Sequence, residues 1–127
     1  MSGGAIERRF PRDRRLLAPA EFAAVFDSGK RQHTAYFTFV VTIRANRGQA
    51  AGARLGVTVS RKVSLNAVTR NTIKRQIRES FRHHHDMLDQ TDTVVIAKRV
   101  AATASREQLR RQLDATWPTL AARCKKS

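Results

Sequence analysis

The chain has 127 residues, 41% hydrophobic and 6% aromatic, with 25 Lys and Arg against 10 Asp and Glu for a formal net charge of +15. That length suits one domain with its own core, the apolar content is above that of a disordered chain, and the charge calls for a polyanionic partner. Residues 1–10 show no apolar signal segment, no basic helix with an exposed Trp/Phe/Leu face points to a membrane, and the lone Cys124 can form no internal disulfide, so a cytoplasmic protein without membrane contact is expected.

In chain order, residues 1–15 hold Arg8, Arg9, Arg12, Arg14 and Arg15 with little apolar pattern and read as a flexible basic arm. A helix is expected over 19–27, with Pro19 in its first turn, no side-chain cap from Ala18, and Gly29 ending it in the left-handed conformation. Phe22 and Phe26 lie four apart on one face with Val25 beside them. Residues 36–43 are a strand, placing Tyr36, Thr38 and Val40 on one face and Phe37, Phe39 and Val41 on the other. A further short strand at His33 and Thr34 would precede it. The stretch 45–53 reads as a loop, 55–60 as an alternating strand, 66–83 as a helix and 93–97 as a strand. Ser105 and Gln108 form a capping box opening a last helix with the stripe Leu109, Leu113 and Trp117, and Pro118 should kink or stop it. The folded domain is expected over 16–122, with a basic tail over 123–127.

The helix over 66–83 carries the functional signal. At about 100° per residue, Ile73, Ile77 and Phe81 form one stripe that must face the sheet. Asn71, Lys74, Arg75, Arg78 and Arg82 fall within an opposite arc of about 100°, with Arg70 at the border of the apolar stripe. Arg61 and Lys62 extend this ridge from the preceding strand. The segment 60–82 has seven Lys or Arg and one acid, Glu79, which can pair with Arg75 or Arg82. A merely solvated helix interleaves both signs, whereas this one offers guanidinium forks suited to phosphates and bases.

No paired carboxylates mark a protein active site, and no catalytic residue is expected. The run His83, His84, His85 does not suggest a metal site, because consecutive helical residues diverge by about 100°.

The string 54–62, RLGVTVSRK, followed by AVTRNTIKRQIRE over 67–79, resembles the signature of the bacterial ribonuclease P protein subunit. The family pattern R-N-x-x-K-R-x-x-R is met by Arg70, Asn71, Lys74, Arg75 and Arg78, and Phe10-Pro11-Arg12, Leu16-Leu17, Pro19, Phe22 and Val25-Phe26 are similar too. The resemblance implies an α+β domain of order αβββαβα with a left-handed βαβ crossover. It implies a ribonucleoprotein in which the catalytic RNA subunit, holding Mg2+, removes the 5′ leader of precursor tRNA while the protein assists, with no obligatory protein partner. Contact with the catalytic RNA would fall to Arg61, Lys62, Arg70, Asn71, Lys74, Arg75, Arg78 and Arg82. The resemblance also implies a leader groove between the first helix and the sheet, for which Phe22, Phe26, Tyr36, Thr38 and Val40 are the expected lining. From the residues alone, the two Phe side chains fit a core role as well.

Three other readings compete. A structural RNA-binding protein of the ribosome would share the charge and element order but not the motif over 70–78. A protein-only nuclease lacks a convergent catalytic group. A DNA-binding helix-turn-helix needs a helix directly before the basic one, where a strand stands.

Overall fold

A computed structural model describes residue 15 and residues 19–43 and 52–125. The elements are α1 (Pro19–Ser28), β1 (Lys30–His33), β2 (Phe37–Ile43), β3 (Arg54–Thr58), α2 (Ala67–His84), β4 (Thr91–Ala97) and α3 (Arg106–Lys125). Short 3-10 turns at His85–Leu88 and Arg99–Thr103 flank β4. This is the expected αβββαβα order of an α+β domain. The arm over 1–14 and most of the expected 45–53 loop lie outside the described residues, although Ala53 is fully buried.

The sheet order is β1-β2-β4-β3, antiparallel except for the parallel pair β3 and β4, which α2 joins as the crossover. Because side chains alternate, β2 serves two cores. Phe37, Phe39 and Val41 point into the main core with Ile73, Ile77 and Phe81 of α2 and Leu109, Leu113 and Trp117 of α3. Val40 points to the opposite face, where Val25 of α1 and Val94 of β4 enclose it with Phe22, Phe26 and Ile96 packed alongside. Trp117 closes the main core, edge-to-face against Phe39 at 5.4 Å and Phe81 at 5.6 Å, its indole Nε1 donating to Ser80 Oγ at 2.7 Å. Ser80 in turn donates to Asp114.

Several boundaries differ from expectation for physical reasons. The short early strand exists but runs over Lys30–His33, antiparallel to β2. Residues 123–125 continue α3, which passes through Pro118 without a break in its helical assignment. Trp117 and Leu120 on either side are fully buried, so packing holds the helix where proline costs it a backbone bond. Gly29 does not take a positive φ. It is needed for close approach: a Cβ there would lie 2.4 Å from the Val25 carbonyl and 2.5 Å from Val40 Cγ1. Asn66 caps α2, its Oδ1 accepting from Val68 and Thr69 N–H, and the Ser105–Gln108 box forms reciprocally as read.

Replacing Gly29 with Ala should force α1 off β2. The expected loss is about 1–3 kcal/mol, typical of overpacking, and denaturant unfolding measures it.

Candidate nucleic-acid interface

The packing of Ile73, Ile77 and Phe81 against the sheet turns the rest of α2 outward. Asn71 and Arg75 are exposed, Lys74, Arg78 and Arg82 half-buried, and Arg61 and Lys62 stand exposed in the turn after β3, which Val63 anchors in the core. The ridge is therefore assembled as the helical phase indicates. Its members differ in what they have free to offer. Arg70, at the border, folds back and donates from Nη1 to the Ser64 carbonyl at 2.8 Å, bracing the loop that carries Arg61 and Lys62. Arg82 is paired to Glu79 at 2.7 Å, and that hydrogen bond holds the Glu79 carboxyl below its usual range.

Burial and the nearby charge of Arg15 together lower the pKa of Arg78. Arg15 itself bridges to Leu55 on the free edge of β3, and its Nε is buried with no hydrogen-bond partner. Sequence reading left Arg15 in the arm, and only the β3 edge contact brings it to the ridge. Two neighbouring guanidinium groups of this kind favour an anion between them.

The other face of the sheet is built in three rows, read from the strand register. The first, Thr42, Asp92 and Arg54, is charged and covered: Arg54 grips Asp92 with two bonds of 2.9 and 2.8 Å and reaches Glu21 of α1 at 3.1 Å. The Asp92 bonds raise the Arg54 pKa further. The second row, Arg31, Val40, Val94 and Gly56, is apolar at its centre and lies under Val25. The third, His33, Thr38, Ile96 and Thr58, crosses all four strands: His33 at the edge is exposed, Ile96 and Thr58 are half-buried, and Thr38 between them is buried. Phe22 and Phe26, with ring centroids 6.5 Å apart, stand half-buried on α1 above this sheet face. The two rings thus form an aromatic wall beside a row that mixes Thr and His side chains with the apolar Ile96, which packs on the same cluster as the rings.

Of the expected groove residues, Phe22 and Phe26 stand half-buried on this face and Thr38 points to it but is buried, while Val40 and Tyr36 do not line an open surface. Val40 is fully buried beneath α1. Tyr36 precedes β2, its N–H held by Gln112 of α3 at 2.8 Å and its side chain packed on the main core, because the alternation of β2 does not extend back through the bend. Ile96 and Thr58 were missed because only strand register identifies them.

Among the described residues no group of three or more His, Cys, Asp and Glu could hold a metal ion, and no helix is long and apolar enough to cross a membrane. The histidines diverge: His84 Nδ1 lies 2.8 Å from the Ser80 carbonyl, His85 sits beside Phe81 and Asp86, and His83 is exposed.

A basic helix on one side of a small α+β sheet and an aromatic-walled groove on the other define an RNA-binding accessory protein. Comparison with known proteins specifies which. A model of the Ribonuclease P family matches residues 10–121, so the chain belongs to the ribonuclease P protein family. It is 35% identical to the ribonuclease P protein component of Thioalkalivibrio sulfidiphilus, over 94% of this chain and 97% of that one. To the corresponding component of Pseudoalteromonas atlantica it is 38% identical, over 95% and 98%. The fold is similar to the Staphylococcus aureus RNase P protein (TM-score 0.75, 29% identity, 84% of this chain and 94% of that chain) and to that of Thermotoga maritima (0.69, 26%, 85% and 96%). The chain is thus an accessory subunit of the endoribonuclease that acts in tRNA 5′ processing, in association with the ribonuclease P RNA.

Replacing Arg75 or Arg78 with Ala should weaken RNA binding and reduce the magnitude of the salt slope by up to about one unit per lost phosphate contact. Glu79→Gln should act oppositely, freeing Arg82 and steepening the slope. Titrating binding against salt concentration reads both, and an unchanged slope places the residue off the interface.

Proposed function

We propose that the outward side of α2, with Arg61, Lys62 and Arg15, docks on phosphates of the catalytic RNA, while the groove on the opposite sheet face holds the single-stranded 5′ leader of precursor tRNA. The observation supporting this division is that β2 separates the two surfaces, Phe39 facing the α2 side and Thr38 the groove side. Among the described residues Arg61, Arg75 and Arg78 of the ridge have no acidic partner, which fits a polyanion that is large and regular, and the opposite face has aromatic and hydroxyl groups, which suit unpaired bases. Arg70 supports the first surface by bracing its loop.

Magnesium belongs on the RNA in this reading. Four of the described carboxylates are already engaged, which supports this reading: Glu21 and Asp92 are bound to Arg54, Glu79 to Arg82, and Asp114 to Ser80. The protein's contribution is electrostatic and positional, holding substrate against a catalyst whose phosphates repel it. We place this work in the cytoplasm and assign it no further protein partner.

The decisive assay is cleavage of precursor tRNA by the cognate catalytic RNA at low magnesium, with and without the chain. Faster cleavage with the chain is expected, and no effect overturns the reading. Phe26→Ala tests the groove. As Phe26 is half-buried, the cost in stability should fall below the about 3–5 kcal/mol of a fully buried Phe. Affinity for leader-bearing substrate should fall as well, measured by melting and binding together.

A further inference from the structure

We propose that the edge strand β1 is part of the substrate surface, with Arg31 and His33 binding unpaired leader nucleotides that extend past the aromatic wall of α1. The proposal rests on the groove reading above and adds to it two residues and a direction.

The cover given by α1 is incomplete. Glu21 is tied to Arg54 at the β3 side, and Ser28 lies within hydrogen-bond distance of Thr42 on β2, 3.2 Å between their oxygens. Both attachments fall on the first row, and Val25 covers the second. Among the described residues the third row has no hydrogen bond or ion pair to α1, only the packing of Ile96 with its apolar cluster, and it runs through the buried Thr38 to the exposed His33 at the sheet edge. Three strand spacings of about 4.8 Å make this row about 14 Å long, room for several groups of an extended nucleotide chain.

The chemistry at the β1 end continues that of the wall. The Arg31 guanidinium lies over the Phe26 ring, 5.8 Å from its centroid, so a cation stands at the rim beside an aromatic face. The His33 ring is held by Nδ1 against Thr38 Oγ1 at 3.1 Å, which orients an exposed flat group at the end of the row. Stacking on Phe26 places Arg31 for a phosphate, and the oriented imidazole offers a platform or hydrogen bond to a base.

The strand is also held from behind. Arg123 of α3 donates from Nη1 to the Arg31 carbonyl at 2.8 Å and to Gln32 Oε1 at 3.0 Å, fixing the β1 backbone from the other sheet face. Charged side chains on an edge strand also deter pairing with other chains, and that alone would account for a lysine or arginine here. It would not account for a guanidinium seated on the groove's own Phe, nor for a histidine bonded to the groove's own Thr.

The test uses holoenzyme reconstituted from the catalytic RNA and the full chain, with precursor tRNAs of short and long unpaired leaders. Arg31→Ala and His33→Ala should each weaken binding of the long-leader substrate several-fold, roughly tenfold combined, and leave the short-leader substrate unchanged. Equal loss on both substrates, or no loss on either, overturns the proposal. If the unaltered holoenzyme itself gains nothing from a longer leader, the groove reading fails and takes this proposal with it. A photoreactive nucleotide placed along the long leader gives a second measurement, independent of variant folding. Crosslinks to residues 30–33 support the assignment, and crosslinks confined to α1 overturn it.

Discussion

The contact on which both surfaces depend is the seat of Trp117. Its ring fills the space between Phe39 of the sheet and Phe81 of α2, and its N–H is satisfied by Ser80, itself bonded to Asp114 of α3. A buried indole with its donor paired fixes the separation and the rotation of its neighbours more tightly than aliphatic packing would. The rotation matters most. With Phe81 and Ile77 committed to Trp117 and the sheet, the arc from Asn71 to Arg82 is turned away from the core. Any other roll of α2 would drive unpaired guanidinium groups into the core. The packing that stabilises the domain is therefore the same packing that presents its charge.

On the reverse face, the order of the rows has a similar logic. Charge is spent closest to the N-terminal end of α1, where Arg54 satisfies Asp92 and Glu21 together. Apolar groups then seal the middle under Val25. Beyond that seal lie the imidazole of His33, the hydroxyls of Thr38 and Thr58, and Ile96, which packs with the rings of α1. Polar bonds therefore hold α1 at the first row, and only apolar packing through Ile96 reaches it from the third.

Much of this was legible in the chain. Helical phase was enough to place the ridge, since Ile73, Ile77 and Phe81 leave little choice of orientation. Alternation over 37–43 was enough to separate Phe39 from Thr38. The failures have physical causes. Tyr36 was assigned by continuing the alternation of β2 through a bend, where the period of two no longer applies. Val40 was given the right face, but whether a helix covers it depends on where α1 crosses the sheet, which is a tertiary fact. Most of β1 was invisible because Lys-Arg-Gln-His has no apolar signal, as befits an edge strand, and so Arg31 and His33 escaped notice. Gly29 was read for its backbone freedom when its neighbours require its lack of a side chain. Pro118 was read as a breaker, but the buried residues on either side keep the helix intact.

The alternation along β2 has a mechanical consequence. Adjacent residues of β2 face opposite sides of the sheet, so the offset between the two faces proposed for nucleic acid is tied to the pleat of that one strand. Sliding the strand by a single residue would exchange the Phe side chains for Thr38 and Val40 and ruin both faces at once. The packed sheet acts as a spacer: exchanging the side chains that face either side would require the β2 pairings with β1 and β4 to break.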